Sequence, residues 1–238
     1  MSELKQHTIK INGQPVPISK SILTTEEKLT KAIFSLKFLN WINGINPRYD
    51  VRSIHIESVD MFGPNVGFIK LNCEAYFNGK PVPGIVFIRG ASVSILIILI
   101  LPNGDRYILL VVQPRIAIGN SEYDEAVAGM MDENGNLVGV AAKEIKEETG
   151  LSIVESELIP LGGIYSSPGG CDEHIELYAY EYSISEEEFL ELQGKATGCI
   201  EEGEQIILKS IPYSEIIHSE DPKLLCAWAR YEHMQKNK

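Results

Sequence analysis

Apolar and polar positions change period several times along this chain, and each change marks an element. From residue 68 to 77 they partly alternate, as in a strand with one buried face, and Asn78-Gly79 then supplies a hairpin turn. Asn12-Gly13 marks a similar turn between two short strand-like pieces. Between these regions Leu29, Ala32, Ile33, Leu36 and Leu39 recur at helical spacing. Thr24 as N-cap and Glu27 at N3 form a capping box that starts this helix, and Asn43-Gly44 ends it. Its Phe34, Phe38 and Trp41 read as packing residues. Pro81-Val82-Pro83-Gly84 is a connection, and residues 85–88 are a further short strand.

Residues 93–101 and 107–112 are nearly continuous apolar runs on either side of Pro102-Asn103-Gly104-Asp105. Such runs predict a hairpin buried on both faces. Residues 175–182 and 206–211 read as strands, and residues 185–193 as a helix with Ser185 at N-cap and Glu188 at N3. Asp221-Pro222 opens a C-terminal helix carrying Leu224, Leu225, Ala227, Trp228 and Tyr231. Strands with a helix on each side predict an α/β sandwich with a mixed sheet. The expected organisation is a smaller β-rich N-terminal region, 1–85, followed by a main domain, 86–238.

Composition narrows the function. The 238 residues carry a formal charge of −12, which argues against non-specific binding to nucleic acid or to anionic membranes. An anionic small substrate stays possible, because a cation and a few arginines reverse the field locally. Cys73, Cys171, Cys199 and Cys226 form no C-x-x-C pair, and scattered thiols fit a reducing compartment. The polar N-terminus lacks an apolar signal core, and the run at residues 95–101 falls far short of the about 20 residues needed to span a bilayer. A cytoplasmic protein is the plain expectation.

The chemistry concentrates between Glu125 and Leu151. A helix ending at Gly150 places Glu144, Glu147 and Glu148 on one face, at i, i+3 and i+4, beside an apolar face of Val138, Ala141, Ala142 and Ile145. Like charges at this spacing cost a few tenths of a kcal/mol in an isolated helix. A hard divalent cation offsets that repulsion, since Mg²⁺ takes carboxylate oxygens together with substrate phosphates.

Gly129 precedes Glu144 by fifteen residues. With Ile145, Glu147, Glu148, Gly150 and Leu151 it resembles the Nudix box, G-x5-E-x7-R-E-U-x-E-E-x-G-U, where U is aliphatic. Two positions depart: Gly135 stands at the first box glutamate, and Lys143 replaces the arginine, so its partner glutamate meets a point charge instead of a fork. Residues 125–130, Gln113-Pro114-Arg115 and Ser167-Pro168-Gly169-Gly170 with Glu173 resemble the ADP-ribose and ADP-sugar diphosphatase branch. Residues 59–63, 82–87, 168–173 and 192–195 are similar to plant-type ADP-sugar diphosphatases.

The resemblance implies a Nudix α/β/α sandwich and hydrolysis of a nucleoside diphosphate sugar with Mg²⁺ or Mn²⁺. It implies a metal seat at Glu144, Glu147, Glu148 and the carbonyl of Ala128. Glu173 is the implied base, on a loop hinged at Pro168-Gly169-Gly170, with Asp172 and Glu176 as alternatives. Arg115 and Arg89 are the implied phosphate ligands. Glu125 either hydrogen-bonds substrate or holds an arginine, and Tyr165 is a candidate to stack on a base. Glu133 is a candidate to replace the missing box glutamate. No histidine is assigned. A homodimer is implied, its N-terminal region contributing to the partner's pocket. Open alternatives are a GDP- or UDP-sugar diphosphatase and a non-catalytic nucleotide-sensing domain, the latter favoured by Gly135 and Lys143.

Overall fold

The computed structural model describes residues 7–131, 137–199 and 204–237. They fall into two units: residues up to Ala91 together with Ser167–Glu173, and Ser92–Ser166 together with the chain from His174 on.

In the first unit the elements are β1 (His7–Ile11), β2 (Gln14–Lys20), α1 (Glu26–Phe34), α2 (Leu36–Gly44), β3 (Tyr49–Phe62), β4 (Asn65–Phe77), β5 (Lys80–Val82) and β6 (Ile85–Ile88). The sheet runs β1-β2-β3-β4-β5, with β6 also on β4; only β2 and β3 pair in parallel. Both Asn-Gly turns form as expected: Asn12 and Asn78 have φ of 50° and 51°, and the glycines after them 80° and 74°. Two successive left-handed residues match the twist of the strands they join.

The helical stretch departs from expectation in two ways. Its N-cap is Thr25, whose side chain accepts from Lys28 N. Thr24 is buried one residue earlier and donates to Glu57 O, so the expected capping box does not form. The helix then breaks at Ser35, which is extended (φ −68°, ψ 144°), with Oγ donating to Ala32 O and accepting from Phe38 N. Serine competes for backbone partners well enough to end one helix and cap the next. The break re-aims the apolar stripe: Leu29, Ala32 and Ile33 point inward from α1, Phe38 and Ile42 from α2, while Phe34 is 71% exposed.

The second unit comprises β7 (Ser92–Ile100), β8 (Arg106–Arg115), β9 (Asn120–Glu125), β10 (Val127–Met130), α3 (Leu137–Thr149), β11 (Ile159–Tyr165), β12 (His174–Ser183), α4 (Glu186–Leu192), β13 (Ala196–Thr197), β14 (Ile206–Pro212) and α5 (Pro222–Lys236). Strand order is β11-β12-β7-β8-β14-β13, and the sheet is mixed because β12 lies parallel to β7. The β7–β8 hairpin is buried on both faces, as its continuous apolar runs require. Val93, Ile95, Ile97 and Leu99 join Val140, Ala141 and Ile145 of α3, while Leu96 and Ile98 join Leu224, Ala227 and Tyr231 of α5. This is the expected sandwich.

One feature of this sheet positions the functional residues. β7 pairs with β8 only from Ile97 to Ile100. Before that its free edge is taken by β10, from Ser92 to Ile95, and the far end of β8 is taken by β9, from Val111 to Arg115. The chain from Glu125 to Gly129 therefore fills the split between two buried strands. Among the described residues no helix is long and apolar enough to cross a membrane.

Candidate active site

α3 ends where Gly150 turns left-handed (φ 78°) and donates its N–H to Lys146 O at 2.9 Å. The helix packs its apolar stripe on β7 and β10, which brings Glu144 and Glu148, one turn apart, against the β10 backbone. Ala128 N donates to Glu148 Oε2 at 3.3 Å. Gly129 explains the other approach. A Cβ built there would stand 2.0 Å from Glu144 Cδ, so only glycine lets that carboxylate lie on the strand. Thr197 Oγ1 donates to Glu148 O at 2.5 Å and tethers the helix end.

Glu148 is 2% exposed. Burial, reinforced by the Glu144 charge and only partly opposed by the Ala128 amide, pushes its carboxyl up to about 9. Two adjacent carboxylates, one of them deeply buried, are a site a cation would relieve, and the donor set is the all-oxygen kind that suits Mg²⁺ or Mn²⁺. Glu147, on the same helix, is exposed and joined to Lys143 Nζ at 3.2 Å. Among the described residues, no three His, Cys, Asp or Glu side chains form a ready metal cage. Glu133 and Gly135 lie outside the described residues.

A second cluster lies at the end of β8. Arg115 Nε donates to Glu125 Oε1 at 2.6 Å, and the other oxygen of Glu125 accepts from Lys223 Nζ at 3.2 Å. Lys223 Nζ is also 2.9 Å from Asp221 Oδ1, and Asp221 Oδ2 accepts from Ala126 N at 2.9 Å. Glu125 thus holds an arginine, one of its two expected alternatives. Burial alone would lower the Lys223 ammonium, but Asp221 and Glu125 outweigh it and hold it above its ordinary value. Arg115 follows the same balance, with burial overcome by Glu125. Lys223 and Asp221 were not expected here. Asp221 signals only a helix start in the sequence, and Lys223 carries no signal at all.

In the first unit Arg89 Nε donates to Glu173 Oε1 at 2.9 Å, so two of the expected residues meet there as an ion pair. Asp172 Oδ1 accepts from the main-chain N–H groups of Arg89 and Gly90 at 2.7 and 3.1 Å. In the second unit Glu176 lies 3.6 Å from His174 Nδ1. The ring of His174 rests over Gly163 and meets Tyr165 edge-on at 4.9 Å.

The family model described as NUDIX domain matches residues 91–227. Nudix hydrolase 14, chloroplastic, from Arabidopsis thaliana is 33% identical over 245 aligned positions, which cover 94% of this chain and 79% of the relative. A solved structure described as an ADP compounds hydrolase superposes with a TM-score of 0.56 at 12% identity, covering 82% of this chain and 98% of that one. At that identity the likeness is one of fold.

Proposed function

This chain belongs to the NUDIX family, and from that premise we propose that it hydrolyses the diphosphate bridge of an ADP-sugar or ADP-ribose, giving nucleoside monophosphate and sugar phosphate. The observation that carries the reading is the Glu144–Glu148 pair laid against Ala128 and Gly129. A diphosphate bridge resists attack because its anionic oxygens repel a nucleophile. In this reading Glu144, Glu148, Glu147 and the Ala128 carbonyl hold Mg²⁺ or Mn²⁺. The cation supplies charge neutralisation at the phosphates and a water of lowered pKa.

The chain's own groups do the rest. Glu125 occupies Nε of Arg115, which leaves Nη1 and Nη2 as a fork for a phosphate. Lys223 holds the second oxygen of Glu125, so the arginine is oriented before substrate arrives. Arg89 is proposed as the second phosphate ligand and Glu173 as the base that takes the proton of the attacking water. That water's oxygen bonds to one phosphorus as the bridging P–O bond breaks, and the bridging oxygen leaves with the other phosphate. Tyr165, 60% exposed, is the proposed stacking surface for a base.

The name of the plant relative gives no substrate; the ADP compounds named for the structural neighbour, together with residues 168–173, support the adenine nucleotide. The test is a panel of ADP-, GDP- and UDP-sugars and ADP-ribose with Mg²⁺, Mn²⁺ or chelator, products read by mass. Nucleoside monophosphate from ADP-linked substrates, abolished by chelation, supports the reading; metal-independent release, or tight binding without turnover, overturns it. A homodimer is part of the proposal on the sequence resemblance, and light scattering at working concentration tests it.

A further inference from the structure

We propose that Asp172 is a positioning residue, a clamp that holds Arg89 and Glu173 in one fixed arrangement, and not a proton acceptor. This deepens the functional reading and rests on its roles for Arg89 and Glu173.

Residues 170–172 run beside β6: Phe87 N donates to Gly170 O at 2.7 Å, Asp172 N donates to Phe87 O at 3.3 Å, and Phe87 and Cys171 form a parallel bridge. One bridge is a weak hold on a loop. The Asp172 carboxylate extends it. Gly90 is left-handed (φ 89°), and this turn directs two successive N–H groups, of Arg89 and Gly90, at one oxygen, Asp172 Oδ1. Consecutive N–H groups in such a turn make a concave anion seat. Lys37 Nζ donates to the carbonyl of Arg89 at 3.3 Å, so the same residue is fixed at both its N–H and its C=O.

The clamp joins two neighbouring pairs. Asp172 precedes Glu173 in sequence, and its partner amides include that of Arg89. The next link is the side-chain ion pair, Arg89 Nε to Glu173 Oε1 at 2.9 Å. The Arg89 guanidinium also lies over the Phe68 ring, 5.7 Å from its centroid. A base and a phosphate ligand are thereby preset by a third residue whose oxygen is already committed to two amides. With Oδ1 so committed, Asp172 takes the positioning role and Glu173 that of base.

The experiment compares Asp172→Ala and Asp172→Asn, alone and combined with Glu173→Gln, on whichever nucleoside diphosphate sugar the wild type turns over. Amide hydrogen exchange at Arg89 and Gly90 is read in parallel. Asp172→Ala is expected to lower kcat on the order of 10²-fold, the cost of displacing a reacting group by about 1 Å. It should speed exchange at both amides. Asp172→Asn keeps Oδ1 as an acceptor, so it should recover most of the kcat and the protection. In the Glu173→Gln background Asp172→Ala should cost less than in the wild type, since the part of its effect that passes through Glu173 is already gone. An unchanged kcat in Asp172→Ala overturns the inference. So does Asp172→Asn losing kcat as fully as Asp172→Ala with amide protection intact, which would make Asp172 the acceptor. If the wild type cleaves no member of the panel, the functional reading fails, and the exchange data still decide whether the clamp exists.

Discussion

Replacing Lys223 with methionine removes one cation from a line of four alternating charges. Its ammonium lies 2.9 Å from Asp221 and 3.2 Å from Glu125, whose side chains are 0% and 5% exposed. Breaking a buried ion pair by removing one partner costs about 3–5 kcal/mol. Both carboxylates keep some compensation in this variant. Asp221 retains the N–H groups of Ala126 and residue 223, and Glu125 retains Arg115. The cost therefore belongs at the low end, about 3 kcal/mol. At about 2–4 °C per kcal/mol for a domain of this size, Tm should fall by about 6–12 °C. Urea denaturation should show the same loss as a shifted midpoint with unchanged slope.

The pH dependence has a definite sign. The folded ammonium titrates above its ordinary value, so its stabilisation is full below the unfolded pKa of about 10.4 and is lost as pH rises through the folded value. The gap between wild type and Lys223→Met should hold from neutral pH to about 10 and then close. A drop of under about 2 °C at pH 7, or a gap that widens with alkali, would refute the reasoning.

Further predictions follow from the helix and its strand. Gly129→Ala must push the Glu144 carboxylate off β10, so kcat should fall about 10–100-fold, the usual effect of disturbing a metal site's supports, with the fold retained by circular dichroism. Glu148→Gln keeps an acceptor for the Ala128 amide and should abolish turnover without unfolding the protein. Because Glu148 titrates in the folded state at about 9, above its ordinary 4.5, the metal-free wild type should lose stability as pH rises through that window. Thermal melts of Glu148→Gln should lack that slope, and Mg²⁺ should raise its Tm less than that of the wild type.

Legibility in the sequence followed the range of the interactions. The α3 stop at Gly150, both Asn-Gly turns, the Ser185–Glu188 capping box and the Asp221 cap are local, and each is plain from residue types a few positions apart. The break at Ser35 was not, because Leu36 and Leu39 continue the spacing of Leu29 and Ala32 so well. What decides against one helix is the burial of Phe38, which only a new helix axis allows. β9, β10 and β11 also escaped notice. NSEYDE has no apolar alternation, VAGM is four residues long, and IPLGGIY contains a proline and two glycines.

The same contrast divides the site. Glu144, Glu148 and Gly129 belong to one contiguous motif, so they could be named from residue types alone, although the strand β10 that receives the two carboxylates could not. Lys223 meets Glu125 across 98 positions, and Asp172 meets Arg89 across 83. No periodicity reports such partners; only the folded sheet and loop bring them together. Glu147 shows the reverse case, a motif residue that the helix surface pairs with Lys143.

The most direct test of the central claim is hydrolysis of an ADP-sugar in ¹⁸O-labelled water with Mg²⁺, products resolved by mass, for wild type and Glu148→Gln. The account predicts AMP and a sugar phosphate from the wild type, one of them carrying a single ¹⁸O on phosphorus, and neither product from the variant. ADP with free, labelled sugar, or equal turnover by Glu148→Gln, would contradict it.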